Sequence, residues 1–182
     1  MKQTIFQPDS KHLLKSKYFS VDETEFTSED GTKKMHATVE RIPTVSIFPI
    51  SDKGEIYLTH EYRNFFGKKI LSAATGFMNI KGESPLDAAK REVNEELGIT
   101  AFHWEELLKV AIGVMVIRAT EYLFLAKDLE MGRPKLSADE HIELITIPLH
   151  KAAEKVYSGE IFISSCIIGI LLLNSLSKEG KI

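Results

Sequence analysis

Four residues between positions 91 and 96 have types and spacing that could do chemistry: Arg91, Glu92, Glu95 and Glu96. On a helix, the 100° step puts Glu92 and Glu96 about 40° apart on one flank. Glu95 lies farther round, one turn from Arg91, so an Arg91–Glu95 ion pair is expected. Glu92 and Glu96 are like charges at i, i+4, a spacing that destabilises a helix by roughly 0.2–0.5 kcal/mol. Glu95 and Glu96 also fall where the macrodipole favours cations, at a cost of a few tenths to about 1 kcal/mol. A solvated face would more naturally carry lysines there. A hard divalent cation resolves the conflict, because carboxylate oxygens suit Mg²⁺ or Mn²⁺, with waters and phosphate oxygens completing the shell. Spacing alone leaves two readings open, a metal site and an acidic surface stripe.

The segment that holds these residues must be a helix, and its ends are well marked. Ser84 is a natural N-cap, Pro85 fits the first helical position, and Asp87 completes a Ser-x-x-Asp capping pattern. Gly98 is placed to stop the helix, and Leu86, Ala89, Val93 and Leu97 form its apolar stripe. Residues 15–41 read as a hairpin turning at Ser28-Glu29-Asp30-Gly31-Thr32. Residues 44–50 and 56–62 read as paired strands around Ser51-Asp52-Lys53-Gly54, with Pro49 ending the first or placing it at an edge. Strand-like segments follow at 107–117, 122–126 and 142–147, then helices at 149–157 and 161–177 with Gly159 between them. This order predicts an α+β or layered α/β/α domain.

The chain has 182 residues, with 43% hydrophobic and 27% charged, the balance of a globular protein of about one domain. A net charge of −3, from 23 basic and 26 acidic side chains, argues against gripping phosphate backbones, so no nucleic-acid partner is expected. The one cysteine, Cys166, excludes an intramolecular disulfide and a multi-cysteine metal site; set in Ile163-Ser-Ser-Cys-Ile-Ile-Gly, it reads as a small buried hydrophobe. The first residues lack the apolar run of a secretory signal. The longest apolar stretch, 166–173, is too short to span a bilayer. A soluble, cytoplasmic chain without a membrane partner is the expectation.

The run Glu83, seven residues, Arg91-Glu92-Val93, one residue, Glu95-Glu96, one residue, Gly98-Ile99 resembles the Nudix box. From Glu83 onward every specified position of that pattern is matched. The upstream glycine departs, since Gly76 and Glu83 enclose six residues where the family has five. Outside the box the chain resembles the branch of ADP-ribose and nucleoside-diphosphate-sugar pyrophosphatases. The carriers are Glu61-Tyr-Arg, Tyr122-Leu-Phe-Leu-Ala-Lys-Asp-Leu, Asp139-Glu-His-Ile-Glu-Leu, Ile147-Pro-Leu and Ser158-Gly-Glu-Ile. Two features differ, the first from the branch pattern and the second from ADP-ribose specialists, which carry a proline downstream of the box. Ser72-Ala-Ala-Thr-Gly76 replaces the usual Glu-Leu-Pro-Ala-Gly, and no proline occurs between Pro85 and Pro134. Broader specificity toward nucleoside diphosphate hexoses is therefore in view beside ADP-ribose.

The resemblance implies a mixed sheet sandwiched by helices over residues 43–182, with an N-terminal β-extension, 1–42, used for homodimerisation. It implies metal-dependent hydrolysis of a nucleotide sugar, with Mg²⁺ or Mn²⁺ as cofactor. Glu92 and Glu96 would be principal ligands, Glu95 a further ligand or its support, and the backbone carbonyl near Thr75 would complete the set. Arg91 would orient the glutamates. Glu83, just before the N-cap, is in part a partner of the helix dipole. For a general base the resemblance favours Glu140 and Glu143, then Glu121, with His141 a poorer candidate; each carboxylate could equally be a surface group. Arg63 resembles an arginine that contacts the diphosphate or distal sugar, against a plain strand-end salt bridge. Phe77 and Met78 line the sugar site or enter the core, and Tyr62, Phe65 and Phe66 stack a base or form a strand-end cluster. Two other functions stay in view: a non-catalytic nucleotide-sugar sensor, and a Nudix hydrolase of dinucleoside polyphosphates.

Overall fold

Thr44, Val45, Ser46, Ile47, Phe48 and Pro49 are all buried, so this short run needs neighbours on both edges and both faces. A computed structural model, which describes residues 10–28, 30–113, 116–137 and 141–182, shows how it obtains them. The run forms a strand, β4 (Thr44–Pro49), within a unit made of the described residues of Thr44–Lys109 and Glu121–Ile182. The other unit holds the described residues up to Pro43 and those of Val110–Thr120.

That N-terminal unit contains β1 (Ser10–Lys15), β2 (Phe19–Thr27) and β3 (Lys33–Arg41), an antiparallel meander. The turn between β2 and β3 is closed by the Gly31 amide on the Ser28 carbonyl, with Gly31 at φ +83°. β3 also pairs in parallel with residues 117 and 118. The expected hairpin is present, and β1 is an additional strand beside it.

In the second unit β4 pairs antiparallel with β7 (Ala74–Phe77) and in parallel with residues 121–126 of β9 (Ile117–Met131), so the sheet is mixed. β8 (Ile99–Ile112) pairs with β9. Side chains of β4 alternate between two helical layers, as the period of a strand requires. Val45 and Ile47 join Ala88, Ala89, Val93 and Leu97 of α1 (Pro85–Leu97) in one core. Ser46 and Phe48 point the other way, to Ser165 and Gly169 of α3 (Ser164–Lys178). The result is an α/β/α arrangement. A second antiparallel sheet, in the order β10–β5–β6, comprises β5 (Glu55–Arg63), β6 (Lys68–Ser72) and β10 (Ile142–Pro148), and α2 (Leu149–Tyr157) follows directly.

Helix α1 ends where its sequence says. The Ser84 hydroxyl accepts the Asp87 amide proton at 3.1 Å, Pro85 opens the helix, and Gly98 closes it at φ +67°. Its buried face is Ala88, Ala89, Val93 and Leu97, with Leu86 only partly covered.

Two strand expectations need correction. The segments 44–50 and 56–62 are not a paired ladder: only the bridge Ile50↔Ile56 joins them. The turn at Ser51–Gly54 forms, but β4 goes to the mixed sheet and β5 to the other, because β4 is buried on both faces. Pro49 does end β4, yet β4 lies between two neighbours rather than at an edge. Nor is 107–117 one strand. β8 already begins at Ile99 and stops at Ile112, where Gly113 takes φ +73°. Cys166 is buried, and burial pushes its thiol up to about 12, so it serves as a small packing side chain.

Candidate active site

Arg91 is the hub of the box. Its Nε and Nη2 donate to the two oxygens of Glu83 at 2.8 and 3.0 Å, a bidentate pair. Its Nη1 donates to Glu92 Oε1 at 2.7 Å and to Glu95 Oε2 at 3.2 Å, and Nη2 also reaches the Phe77 carbonyl at 3.2 Å. The expected Arg91–Glu95 pair is present, but Glu83 is the better partner. Its side chain is 9% exposed, against 46% for Glu95. Glu83, chiefly, pushes the Arg91 pKa up, so the guanidinium stays charged.

Glu92 and Glu96 sit where charge is costly. Burial raises the Glu92 pKa, and the adjacent Arg91 opposes the rise. Glu96 is pushed up to about 8, by burial first and by the charge of Glu92 second. The Thr75 amide donates to Glu96 Oε2 at 3.2 Å. Gly76 is the floor beneath Glu92: a Cβ there would lie 1.8 Å from Glu92 Cδ, so only glycine admits the carboxylate. β7 thus offers one backbone amide to Glu96 and one side-chain-free position to Glu92.

Glu61 and Arg63 on β5 complete the electrostatic surroundings. Arg63 Nη2 pairs with Glu61 Oε2 at 2.8 Å, the strand-end salt bridge, and both residues act on the charge of Glu96. Sequence reading did not single out Glu61 as a site residue. A carboxylate two positions before Arg63, on the same strand face, was the available signal.

Other sequence candidates are placed elsewhere or differently. Glu143 is exposed on β10 and bonded to Lys69 and to His60 Nδ1, the latter at 3.2 Å; these bonds hold its carboxyl below the usual range. Glu121 is buried against Ser46, not poised at a surface. His141 is exposed, and Glu140 lies outside the described residues. Met78 packs against the core that α1 shares with β4, and Phe77 is half-buried with its carbonyl on Arg91.

A family model of the NUDIX domain matches residues 40–162. The chain belongs to the Nudix family. It is 30% identical over 141 residues to an ADP-ribose pyrophosphatase of Mycobacterium tuberculosis, a match spanning 76% of this chain and 68% of that protein. It is 26% identical over 161 residues to an ADP-ribose pyrophosphatase of Bacillus subtilis, spanning 85% and 86%. Among solved structures, an ADP compounds hydrolase superposes with a TM-score of 0.84 over 100% of both chains at 20% identity, a likeness of fold. Among the described residues no helix is long and apolar enough to cross a membrane.

Nudix chemistry calls for a divalent cation, and the residues present fit one. Among the described residues no three carboxylate, histidine or cysteine side chains form a ready cage. Mg²⁺ does not need one, because it binds through one or two carboxylates and keeps waters and substrate phosphates. Glu96, driven toward its neutral form by burial and by Glu92, is a carboxylate whose charge a cation would restore.

Proposed function

We propose that this Nudix pyrophosphohydrolase cleaves the diphosphate linkage of nucleoside diphosphate sugars, ADP-ribose or a nucleoside diphosphate hexose, to nucleoside monophosphate and sugar phosphate. The observation that carries this reading is the half-buried Glu92–Glu96 pair over Gly76, locked in place by Arg91 and the Thr75 amide. The two ADP-ribose pyrophosphatases among its relatives point to the same substrate class.

In the reaction a water oxygen bonds to one phosphorus, the bridging P–O bond breaks, and the bridging oxygen leaves on the other phosphate. A bound Mg²⁺, or Mn²⁺, supplies positive charge to the phosphate oxygens and acidifies water. Glu92 and Glu96 would hold it, with Glu95 a further ligand or a support. In an extended strand the N–H and C=O of one residue leave on the same edge. The Thr75 carbonyl therefore shares the edge from which its amide reaches Glu96, and it would join the ligand set. Arg91 touches no substrate; it sets the angle of Glu92 and Glu95. Arg63 exchanges Glu61 for a diphosphate oxygen, a partner suited to a planar guanidinium. Phe77 faces the sugar, and Met78 stays with the core.

For the general base, Glu140 is the stronger candidate. Lys69 and His60 already occupy the Glu143 carboxylate and lower its basicity. The N-terminal unit exposes Leu13, Leu14, Phe19 and Met35, apolar surface that supports homodimerisation through residues 1–42. A buried lone thiol suits the reducing cytoplasm.

The test is release of phosphate monoesters, read with a coupled phosphatase, from ADP-ribose, ADP-glucose, GDP-mannose, UDP-glucose and diadenosine polyphosphates, with Mg²⁺, Mn²⁺ or chelator. Metal-dependent turnover of the sugar nucleotides is the expected result. Turnover of polyphosphates alone would overturn the substrate class. Silence with retained nucleotide-sugar binding would make the chain a sensor.

A further inference from the structure

Behind β7, on the face away from α1, lies a set of buried polar groups that the proposed reaction does not use. Ser46 is 0% exposed, Ser165 3% and Glu121 5%. Ser46 Oγ stands 2.5 Å from Glu121 Oε1, 3.1 Å from Thr75 Oγ1 and 3.4 Å from Ser165 Oγ. A serine has one proton to give, and the short contact assigns it to the Glu121 carboxylate. A Ser46 lone pair is then left to accept from the Thr75 hydroxyl, which shares its one proton with the Ala73 carbonyl, and the longer contact to Ser165 is the weakest of the three. Thr75 Oγ1 also lies 3.1 Å from the Ala73 carbonyl. Thr75 therefore touches two carboxylates at once: Glu96 through its amide, and Glu121 through Ser46.

The sheet by itself does not hold β7 firmly. The strand has four residues and, among the described residues, only β4 beside it in its sheet. Four register pairs are few for a strand that must present the Thr75 amide to Glu96 and Gly76 to Glu92. Register puts Glu121 opposite Thr44 and Thr75 opposite Ser46, so the hydroxyl chain runs diagonally and ties β7 to β9 across β4. Burying a carboxylate costs free energy unless it is hydrogen-bonded, so Glu121 is an expensive way to fill space.

We propose that Glu121 is a positioning residue for the metal-binding carboxylates: by fixing Ser46, and through it Thr75, it sets β7 beneath Glu92 and Glu96. The proposal rests on the reading of those two glutamates as metal ligands. Loss of an outer hydrogen-bond partner in metal sites weakens binding by about 10–100-fold.

The experiment measures Mn²⁺ dissociation constants by calorimetry on the metal-free protein, alongside melting temperature, kcat and KM for ADP-ribose. The variants are Ser46→Ala, Glu121→Ala, their double, and Glu121→Gln, which keeps an acceptor for Ser46. Both alanine variants should weaken Mn²⁺ binding at least about tenfold. The double should be no worse than the worse single, because both interrupt one path. Glu121→Gln should bind Mn²⁺ within about threefold of the parent. A lower melting temperature with unchanged Mn²⁺ affinity would overturn the proposal, and so would equal losses for Glu121→Gln and Glu121→Ala. Glu96→Gln serves as control: if the parent and Glu96→Gln bind Mn²⁺ alike, the ligand reading itself fails. Ser46→Ala removes a single oxygen and keeps the test valid if Glu121→Ala does not fold.

Discussion

Helices α1 and α3 flank β4 from opposite faces, and they are specified in opposite ways. α1 has a side-chain N-cap, a proline at its start and a left-handed glycine at its end. It needs them, because Glu92, Glu95 and Glu96 crowd its second half and its last turn carries no basic residue. α3 has no side-chain cap at Ile163 and no acid in its first turn. It is held instead by what it buries, Cys166, Gly169, Ile170 and Leu173. A helix that carries chemistry against its own dipole has to be fixed by local signals, whereas a helix without chemistry can be fixed by shape. Substitutions on the two helices should therefore separate function from stability.

The largest effect belongs to Glu96. Glu96→Gln should cut metal-dependent turnover roughly a thousandfold, equivalent to about 4 kcal/mol of transition-state stabilisation. The same change should stabilise the metal-free fold at alkaline pH. Glu96 is raised from the ordinary 4.5 to about 8 in the folded protein. Between those values the folded state holds a proton that the unfolded chain has lost, so stability is fully present below pH 4.5 and declines toward pH 8. Glutamine removes that slope. Melting curves of metal-free protein at pH 5 and pH 9 check it: the variant should gain on the parent only at pH 9, and Mg²⁺ should raise the melting temperature of the parent alone.

Gly76→Ala comes next. Its Cβ would fall 1.8 Å from Glu92 Cδ, so the carboxylate must leave its place over β7. Mn²⁺ affinity should drop about 10–100-fold. The group displaced is the end of a flexible side chain, so the melting temperature should move far less than the activity. A large stability loss with intact metal binding would erase the contrast between the two helices.

How far the sequence could be read follows the same division. The ends of α1 were legible to the residue because cap and stop are local, and so was the spacing of its glutamates; in the stripe, Ala88 is buried where Leu86 was expected. The partners of β4 were not, because turn residues at 51–54 bring two segments together without deciding whether a ladder continues; burial on both faces decided that. Within the site, the grip of Glu83 on Arg91 depends on how the chain folds back between Phe77 and Ser84, which spacing does not reveal. Glu61 arrives from another strand, and the engagement of Glu143 by Lys69 joins residues far apart in sequence. Gly76 was visible only as a departure in spacing, and the approach of Glu92 gives it a physical reason.

The α3 counterpart is Gly169→Ala. In an exposed helix interior this exchange gains about 1 kcal/mol. Here the new Cβ would lie 2.1 Å from Phe48 Cζ, against a ring that is 0% exposed and has little room to move. Overpacking of this kind costs about 1–3 kcal/mol, so the variant should melt lower with Mn²⁺ affinity unchanged.

The smallest effect tests whether local signals really carry α1. Ser84→Ala removes the acceptor for the Asp87 amide and should cost about 1 kcal/mol, with Ser84→Asp restoring most of it. Because Ser84 follows Glu83, the partner of Arg91, fraying at this end also loosens the hub, and kcat should fall slightly with the melting temperature. Chemical denaturation of the three proteins, paired with turnover, separates the cases. A cap variant that melts lower while kcat stays level would show that Arg91 and its glutamates hold the helix start without Ser84. α1 would then be pinned by its charges as firmly as α3 is by its packing.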